Sequence, residues 1–324
     1  MASEKYSVRF VSVVTPVFNE EECLQELIDR VLAVLKTLKC SSEFILVDDG
    51  SSDSSAEIIR GAAEKSSGRV IGCILNRNYG QHAAITAGFE LVRGDLVITL
   101  DADLQNPPEE IPRLIAAAEE GCDVVGTFRV DRQDTLFRRL ASRIVNAAAR
   151  KITGVQMNDF GCMLRAYRRF ITDAVLKCNE RSTFIPVLAN SFAKRTCEIP
   201  VTHAERKTGR SKYSLRNLIE LQFNLMFCMN VAPLRLLIWS GLLTCALGVL
   251  LCFYIIVCFF CNREMASLSS CGTFTLFALL FVFTGIQMIG IGVSGEYLGR
   301  LYNDVRARPR FFVEEVIGLN NEEK

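Results

Sequence analysis

Leu96-Val-Ile-Thr-Leu-Asp-Ala-Asp-Leu-Gln-Asn-Pro-Pro108 decides the fold. Its first five residues are apolar around one β-branched Thr, the composition of a strand buried on both faces. They run without a turn signal into Asp101 and Asp103, which fall on one side of an extended segment. Strands of this kind build mostly parallel sheets with helices on both faces, and such sheets bind ligands at the carboxyl ends of their strands. The acidic pair stands at such an end.

The same pattern repeats on either side. Residues 11–14 form a β-branched run ended by Thr15-Pro16, and residues 44–47 a second ended by Asp48-Asp49-Gly50-Ser51. Residues 70–75 lead into Asn76-Arg-Asn-Tyr-Gly80, and residues 124–127 make a fifth strand. Amphipathic helices are expected over about 20–38, capped by Asn19, after a Ser54 to Glu57 capping box, over about 82–92 and over about 109–119. The class is therefore α/β. No GxGxxG follows the first strand, which argues against a dinucleotide-binding dehydrogenase.

The formal net charge of +1 over 324 residues gives no basic field for nucleic acid. No cleavable leader is legible at the start, so the front domain is expected in the cytosol. The thirteen cysteines are scattered, Cys258 and Cys261 falling inside an apolar run, and all are expected as reduced thiols. Of the two histidines, His82 and His203, His203 could reach a metal, but a structural, hydrogen-bonding role is the favoured reading for it.

The back of the chain differs. Residues 236–261 contain no charge, and residues 271–295 have Gln287 as their most polar member. A spanning helix needs about 20 apolar residues, so a two-helix transmembrane hairpin is expected. Arg216 and Arg235 precede it, Arg300, Arg306, Arg308 and Arg310 follow it, and the turn at 262–270 has only Arg263 beside Glu264. That asymmetry puts both termini in the cytoplasm. A helix over 213–233 reads as amphipathic and interfacial, another over 134–152 is rich in arginine, and the tail over 299–324 is basic from Asn303 and then ends in Glu-rich polar sequence expected to be mobile.

With these motifs in hand, Val13-Val-Thr-Pro-Val-Phe-Asn-Glu-Glu21, Val47-Asp-Asp-Gly-Ser-Ser-Asp53 and Leu100-Asp-Ala-Asp-Leu-Gln105 resemble the nucleotide-sugar domain of family 2 glycosyltransferases. Asn76-Arg-Asn-Tyr-Gly-Gln-His82 and Arg206-Lys-Thr-Gly-Arg-Ser-Lys-Tyr213 narrow the resemblance to enzymes that glycosylate polyprenyl phosphates. Blocks at 100–114, 161–169, 180–186 and 304–310 resemble the branch that serves lipid A modification. The likeness implies a GT-A-type, Rossmann-like domain over 1–212, a hairpin over 234–298 and a place in the bacterial cytoplasmic membrane with the site facing the cytoplasm. It also implies a UDP-sugar donor, undecaprenyl phosphate as acceptor, Mg²⁺ or Mn²⁺ as cofactor, a lipid bilayer as partner and a homo-tetramer.

Carried onto this chain, the resemblance makes Thr15, Asp49, Arg77 and Asp101 the uridine contacts, with Pro16 and Glu20 shaping the pocket. Asp103, with Asp101 and Gln105, becomes the metal and diphosphate site, and Asp159 lies near the sugar. Arg129, Arg143, Arg206 and Lys212 become candidates for gripping the acceptor phosphate or the leaving diphosphate. A phosphate acceptor is largely dianionic near neutral pH, so a strong general base is not required and a single displacement inverts the sugar. Two alternatives stay open: transfer of another hexose, such as glucose or mannose, and a membrane nucleotide-sugar binding protein without catalysis.

Overall fold

The computed structural model describes residues 6–66, 68–129, 159, 161–178, 184–202, 237–243, 246, 250, 269–306 and 308–319. The chain divides into two compact units, Met1–Gln222 with Ala307–Lys324, and Phe223–Arg306.

The first unit is built on one sheet of eight strands, β1 (Phe10–Val17), β2 (Ser41–Asp48), β3 (Val70–Leu75), β4 (Leu96–Thr99), β5 (Val124–Arg129), β6 (Arg165–Arg168), β7 (Thr196–Val201) and β8 (Val313–Ile317). Their order is β7-β5-β6-β4-β1-β2-β3-β8. The helices are α1 (Glu21–Thr37), α2 (Ser55–Lys65), α3 (Gln81–Leu91), α4 (Ile111–Glu119), α5 (Arg169–Lys177) and α6 (Ile185–Phe192). Alternation along each strand divides the core into two layers. Val11, Val13, Phe44 and Leu46 pack with α1, α2 and α4, while Val14, Ile45, Val47 and Cys73 pack with α3, α5 and α6. Gly88 brings α3 close to the sheet, since a Cβ there would meet the Val14 side chain at 2.4 Å.

The expected α/β sheet with helices on both faces is present, but it is mixed. β1–β2, β2–β3, β1–β4 and β5–β7 are parallel, whereas β6 runs antiparallel to β4 and β5, and β8 to β3. The reversal of β6 matters for the site. The segment entering β6 lies at the end of the sheet where β1 to β5 finish.

Several local expectations need correction. Asn19 does not cap α1: its backbone is left-handed, with φ 53°, and its Oδ1 accepts the Ser52 N–H at 2.8 Å. Ser54 stands at the N-cap of α2 without a side-chain cap bond. Its N–H donates instead to Glu21 Oε2 at 2.9 Å. The tail forms β8 rather than a mobile end: Val313 packs against the core layer of α3, Ile317 against that of α2, and Arg60 pairs with Glu315 at 2.9 Å. Cys122 and Cys197 are disulfide-bonded with Cα atoms 6.1 Å apart, against the expectation of thirteen thiols. The parallel pairing of β5 with β7 brings these distant positions within bridging reach.

In the second unit the structure describes a helical stretch at 237–243 and a 37-residue helix, α7 (Ser269–Val305). Among the described residues no helix is long and apolar enough to cross a membrane, so the expected hairpin is not found. Most of its first run lies outside the described residues. The second run does not stop near residue 295 but continues in one helix through Glu296 to Val305. The helices expected over 134–152 and 213–233 lie outside the described residues.

Candidate active site

At the end of β2, Asp49 is 2% exposed and accepts the Tyr79 N–H at 2.7 Å on Oδ1 and the Gly80 N–H at 2.9 Å on Oδ2. Burial pushes its carboxyl above the usual range, and those two bonds pull it back. Asp48 is also buried and raised by burial; its Oδ2 accepts the Ser51 N–H, and its Oδ1 has no partner. Gly50 has φ +66°, and a Cβ there would lie 2.3 Å from the Arg77 carbonyl carbon. The turn after β2 therefore holds the 76–80 loop directly. Asp49 is committed first to that loop, with a second lone pair on each oxygen left for a ligand. The exposed Arg77 guanidinium lies 4.8 Å from the Tyr79 ring centroid.

The end of β1 is tied to the same turn. Asn19 N–H donates to Ser51 Oγ at 3.0 Å, and Glu20 N–H to Ser55 Oγ at 3.1 Å. Thr15 is fully buried and its hydroxyl has no partner, while Pro16 is half-buried beside it. Buried hydroxyls are almost always bonded, so an orphan at a strand end is a place where a ligand polar atom fits.

Beyond β4, Asp101, Asp103 and Gln105 are half-exposed and alternate with buried Ala102, Leu104 and Asn106. These three oxygen-bearing side chains reach the surface from a bent segment rather than the extended one expected, since the strand ends at Thr99. Leu104 takes a left-handed backbone, with φ 59°, that costs of order 1–3 kcal/mol and turns the chain there. Gln81 Nε2 donates to Asp101 Oδ1 at 2.7 Å, and Asn106 Nδ2 approaches Oδ2 at 3.5 Å. Asp103 Oδ1 accepts the Gln105 N–H at 3.1 Å. Among the described residues no three His, Cys, Asp or Glu side chains gather as a metal cage. Two carboxylates and an amide carbonyl are a hard-oxygen set that suits Mg²⁺ or Mn²⁺ sharing its remaining positions with a diphosphate.

Asp159 is 3% exposed, and its Oδ1 accepts the Gly161 N–H at 3.0 Å. It precedes β6, which places it at the same end of the sheet. Cys162 Sγ lies 3.6 Å from Asn106 Oδ1, joining the two segments. His82, in the first turn of α3, meets the Phe184 ring edge-on at 5.0 Å. Burial drives its imidazole down to about 4, and its Nδ1 has no hydrogen-bond partner. Arg129 closes β5. Arg143, Arg206, Lys212 and His203 lie outside the described residues.

The structure therefore gathers Thr15, Pro16, Glu20, Asp49, Arg77, Asp101, Asp103, Gln105 and Asp159 at one end of one sheet. It adds Gln81, Asn106 and the Tyr79 and Gly80 amides, which sequence reasoning missed. Gln81 carried a signal, following a glycine at a helix start, but nothing local told which carboxylate it would reach.

Residues 12–176 match the family described as Glycosyl transferase family 2. The chain is 58% identical over 317 residues to an undecaprenyl-phosphate 4-deoxy-4-formamido-L-arabinose transferase of Pseudomonas savastanoi pv. phaseolicola, covering 98% of this chain and 94% of that one. A protein of the same description from Proteus mirabilis is 57% identical over 314 residues, with 97% and 96% covered. Among solved structures, a mycobacterial protein matches with a TM-score of 0.50 at 20% identity, over 70% of this chain and 76% of that one.

Proposed function

The chain belongs to glycosyl transferase family 2 and is a glycosyltransferase; from that premise we propose that it moves 4-deoxy-4-formamido-L-arabinose from UDP to undecaprenyl phosphate at the cytoplasmic face of a membrane, supplying lipid A modification and with it polymyxin resistance. The observation that carries the reading is that half-exposed Asp101, Asp103 and Gln105 follow β4 at the end of the sheet that also presents Thr15 and Asp49. The sugar and the acceptor come from the names of relatives more than half identical over nearly the whole chain.

Each residue has work that its surroundings suit. Thr15 offers a buried hydroxyl to the uracil, and Arg77 a guanidinium on the rim. Asp49 holds the 76–80 loop while its free lone pairs face a base N–H. Pro16 and Glu20 bound the pocket. Asp103, with Asp101 and Gln105, would hold a divalent cation, which when bound offsets negative charge on the departing diphosphate. Gln81 orients Asp101. Asp159 positions the sugar, and Arg129, Arg143, Arg206 and Lys212 grip the lipid phosphate, the guanidinium forks matching its oxygens and the Lys212 ammonium adding a point charge. That phosphate, with a second pKa near 6, attacks as the dianion and inverts the anomeric carbon.

A bilayer is the partner for the second unit in this reading. The longest described helix of that unit is α7. Leu276, Leu280, Met288, Ile291 and Leu298 are all more than half exposed along it. Such a surface is costly in water and at home in lipid.

The test is transfer by the full chain in membranes, with labelled UDP-4-deoxy-4-formamido-L-arabinose, UDP-glucose and UDP-N-acetylglucosamine offered separately with undecaprenyl phosphate, with and without EDTA. Lipid-linked formamidoarabinose, abolished by EDTA, is the expected product. Transfer of glucose alone would replace the donor, and UDP binding without any transfer would make the chain a non-catalytic binder.

A further inference from the structure

We propose that Arg165 is a positioning residue, whose buried guanidinium fixes the turn that carries Asp159 and so sets the place of the donor sugar. This rests on the reading of Asp159 as the sugar-side carboxylate. Arg165 is 0% exposed, the largest fully buried side chain among the described residues. Placing a guanidinium in a core costs several kcal/mol unless its donors are matched. Two of its five N–H donors are matched to backbone carbonyls of one turn. Nε donates to the Cys162 carbonyl at 2.8 Å, and Nη2 to the Asp159 carbonyl at 2.7 Å.

The rest of the segment is held in the same manner. Thr99 Oγ1 donates to the Met163 carbonyl at 2.6 Å and Thr127 Oγ1 to the Leu164 carbonyl at 2.8 Å, so side chains hold the carbonyls of 159, 162, 163 and 164. Room for the guanidinium comes from Gly126, where a Cβ would stand 3.3 Å from Arg165 Nη1. Arg165 pairs in register with Thr99, two positions before Asp101. Its antiparallel strand thus delivers Asp159 to the end of β4 where the acidic segment begins. A charge of this cost, spent on carbonyls at the base of one turn, fits a role in fixing that turn more closely than a role in filling volume.

The experiment compares Arg165→Ala, Asp159→Asn and the double variant in the full chain in membranes. It measures kcat with UDP-4-deoxy-4-formamido-L-arabinose and undecaprenyl phosphate, and UDP affinity separately. Each single variant should lower kcat at least about tenfold with UDP affinity kept within about twofold, and the double variant should be no slower than the slower single by more than about twofold. Guanidinium ion added to Arg165→Ala should restore at least about fivefold, as a small donor re-enters the space. If Arg165→Ala no longer binds UDP, Arg165→Lys is read in its place with the same arms. Losses that multiply in the double variant, or no loss from Arg165 at all, would overturn the proposal while leaving Asp159 in its role. Normal transfer by Asp159→Asn would overturn both.

Discussion

Gly50 and Arg77 touch backbone to backbone: a methyl group on Gly50 would sit 2.3 Å from the Arg77 carbonyl carbon and 2.5 Å from its Cα. This contact, with the two N–H bonds to Asp49, makes the turn after β2 and the 76–80 loop one object. Asp49 and Arg77 are then placed relative to each other before any ligand arrives.

Gly50→Ala should break that object. The new Cβ meets backbone, which cannot swing aside, and φ +66° strains any L side chain. A loss of about 2–4 kcal/mol in stability is expected, with UDP affinity down at least about tenfold. Denaturant midpoints and UDP titrations on the same preparation check both, and an unchanged affinity would separate the contact from donor binding.

Asp103→Asn should leave the fold intact, because Asp103 is half-exposed and its one described bond, to the Gln105 N–H, is kept by an amide oxygen. Transfer should fall at least about a hundredfold, the scale of a lost electrostatic contribution to a developing charge. Initial rates across a Mg²⁺ and Mn²⁺ titration decide it. A rate within about threefold of the parent at every metal concentration would remove Asp103 from the diphosphate site.

His82 predicts an acid limit to stability. Its imidazole moves from 6.5 to about 4 on folding, so the folded state favours the neutral form. A lowered folded value means the contribution is complete above about 6.5 and is lost as pH falls towards 4. Its size is up to about 3 kcal/mol. His82→Gln should flatten the dependence of the unfolding midpoint on pH between about pH 7 and about pH 5. An equally steep profile would place the acid sensitivity elsewhere.

Removing residues 311–324 should weaken donor binding although no nucleotide contact is expected there. Phe312 accepts the Asn76 N–H at 3.2 Å, and Phe311 and Val313 pack on the same core layer as Tyr79. Losing them should cost about 2–4 kcal/mol and raise the KM for the UDP-sugar at least about threefold. Glu315→Ala is the control, since the partly exposed Arg60–Glu315 pair contributes at most about 1 kcal/mol. A truncated chain with unaltered donor KM would free the loop from the tail.

Strand ends were legible because they are punctuated: an apolar run that stops at Asp48 or Asp101 announces itself without neighbours. What the carboxylates do there was less so. Asp49 could be placed at a ligand-binding end, but its commitment to the Tyr79 and Gly80 amides depends on a loop 30 residues away. Arg165 carries no local signal of burial, and its place on β6, between β4 and β5, is what buries it. Val313-Glu-Glu-Val-Ile317 reads as a polar tail because, as an edge strand, it half-buries only Val313 and Ile317 and leaves the residues between them exposed. Cys122 and Cys197 gave no spacing signal, as the pairing of β5 with β7 brings them together.

β8 also sets a timetable for biosynthesis. Leu75 and Val313 are sheet neighbours, yet roughly 240 residues separate them along the chain. At about 5–20 residues per second, β3 waits roughly 12–50 s on the ribosome for its last partner. Throughout that interval β3 presents unpaired N–H and C=O groups, the kind of edge on which nascent chains aggregate. The whole of Phe223–Arg306 is made before the edge is covered. Completion of the sheet therefore waits until Phe223–Arg306 has been made, and a message truncated between β7 and β8 yields a protein with its 76–80 loop unsupported.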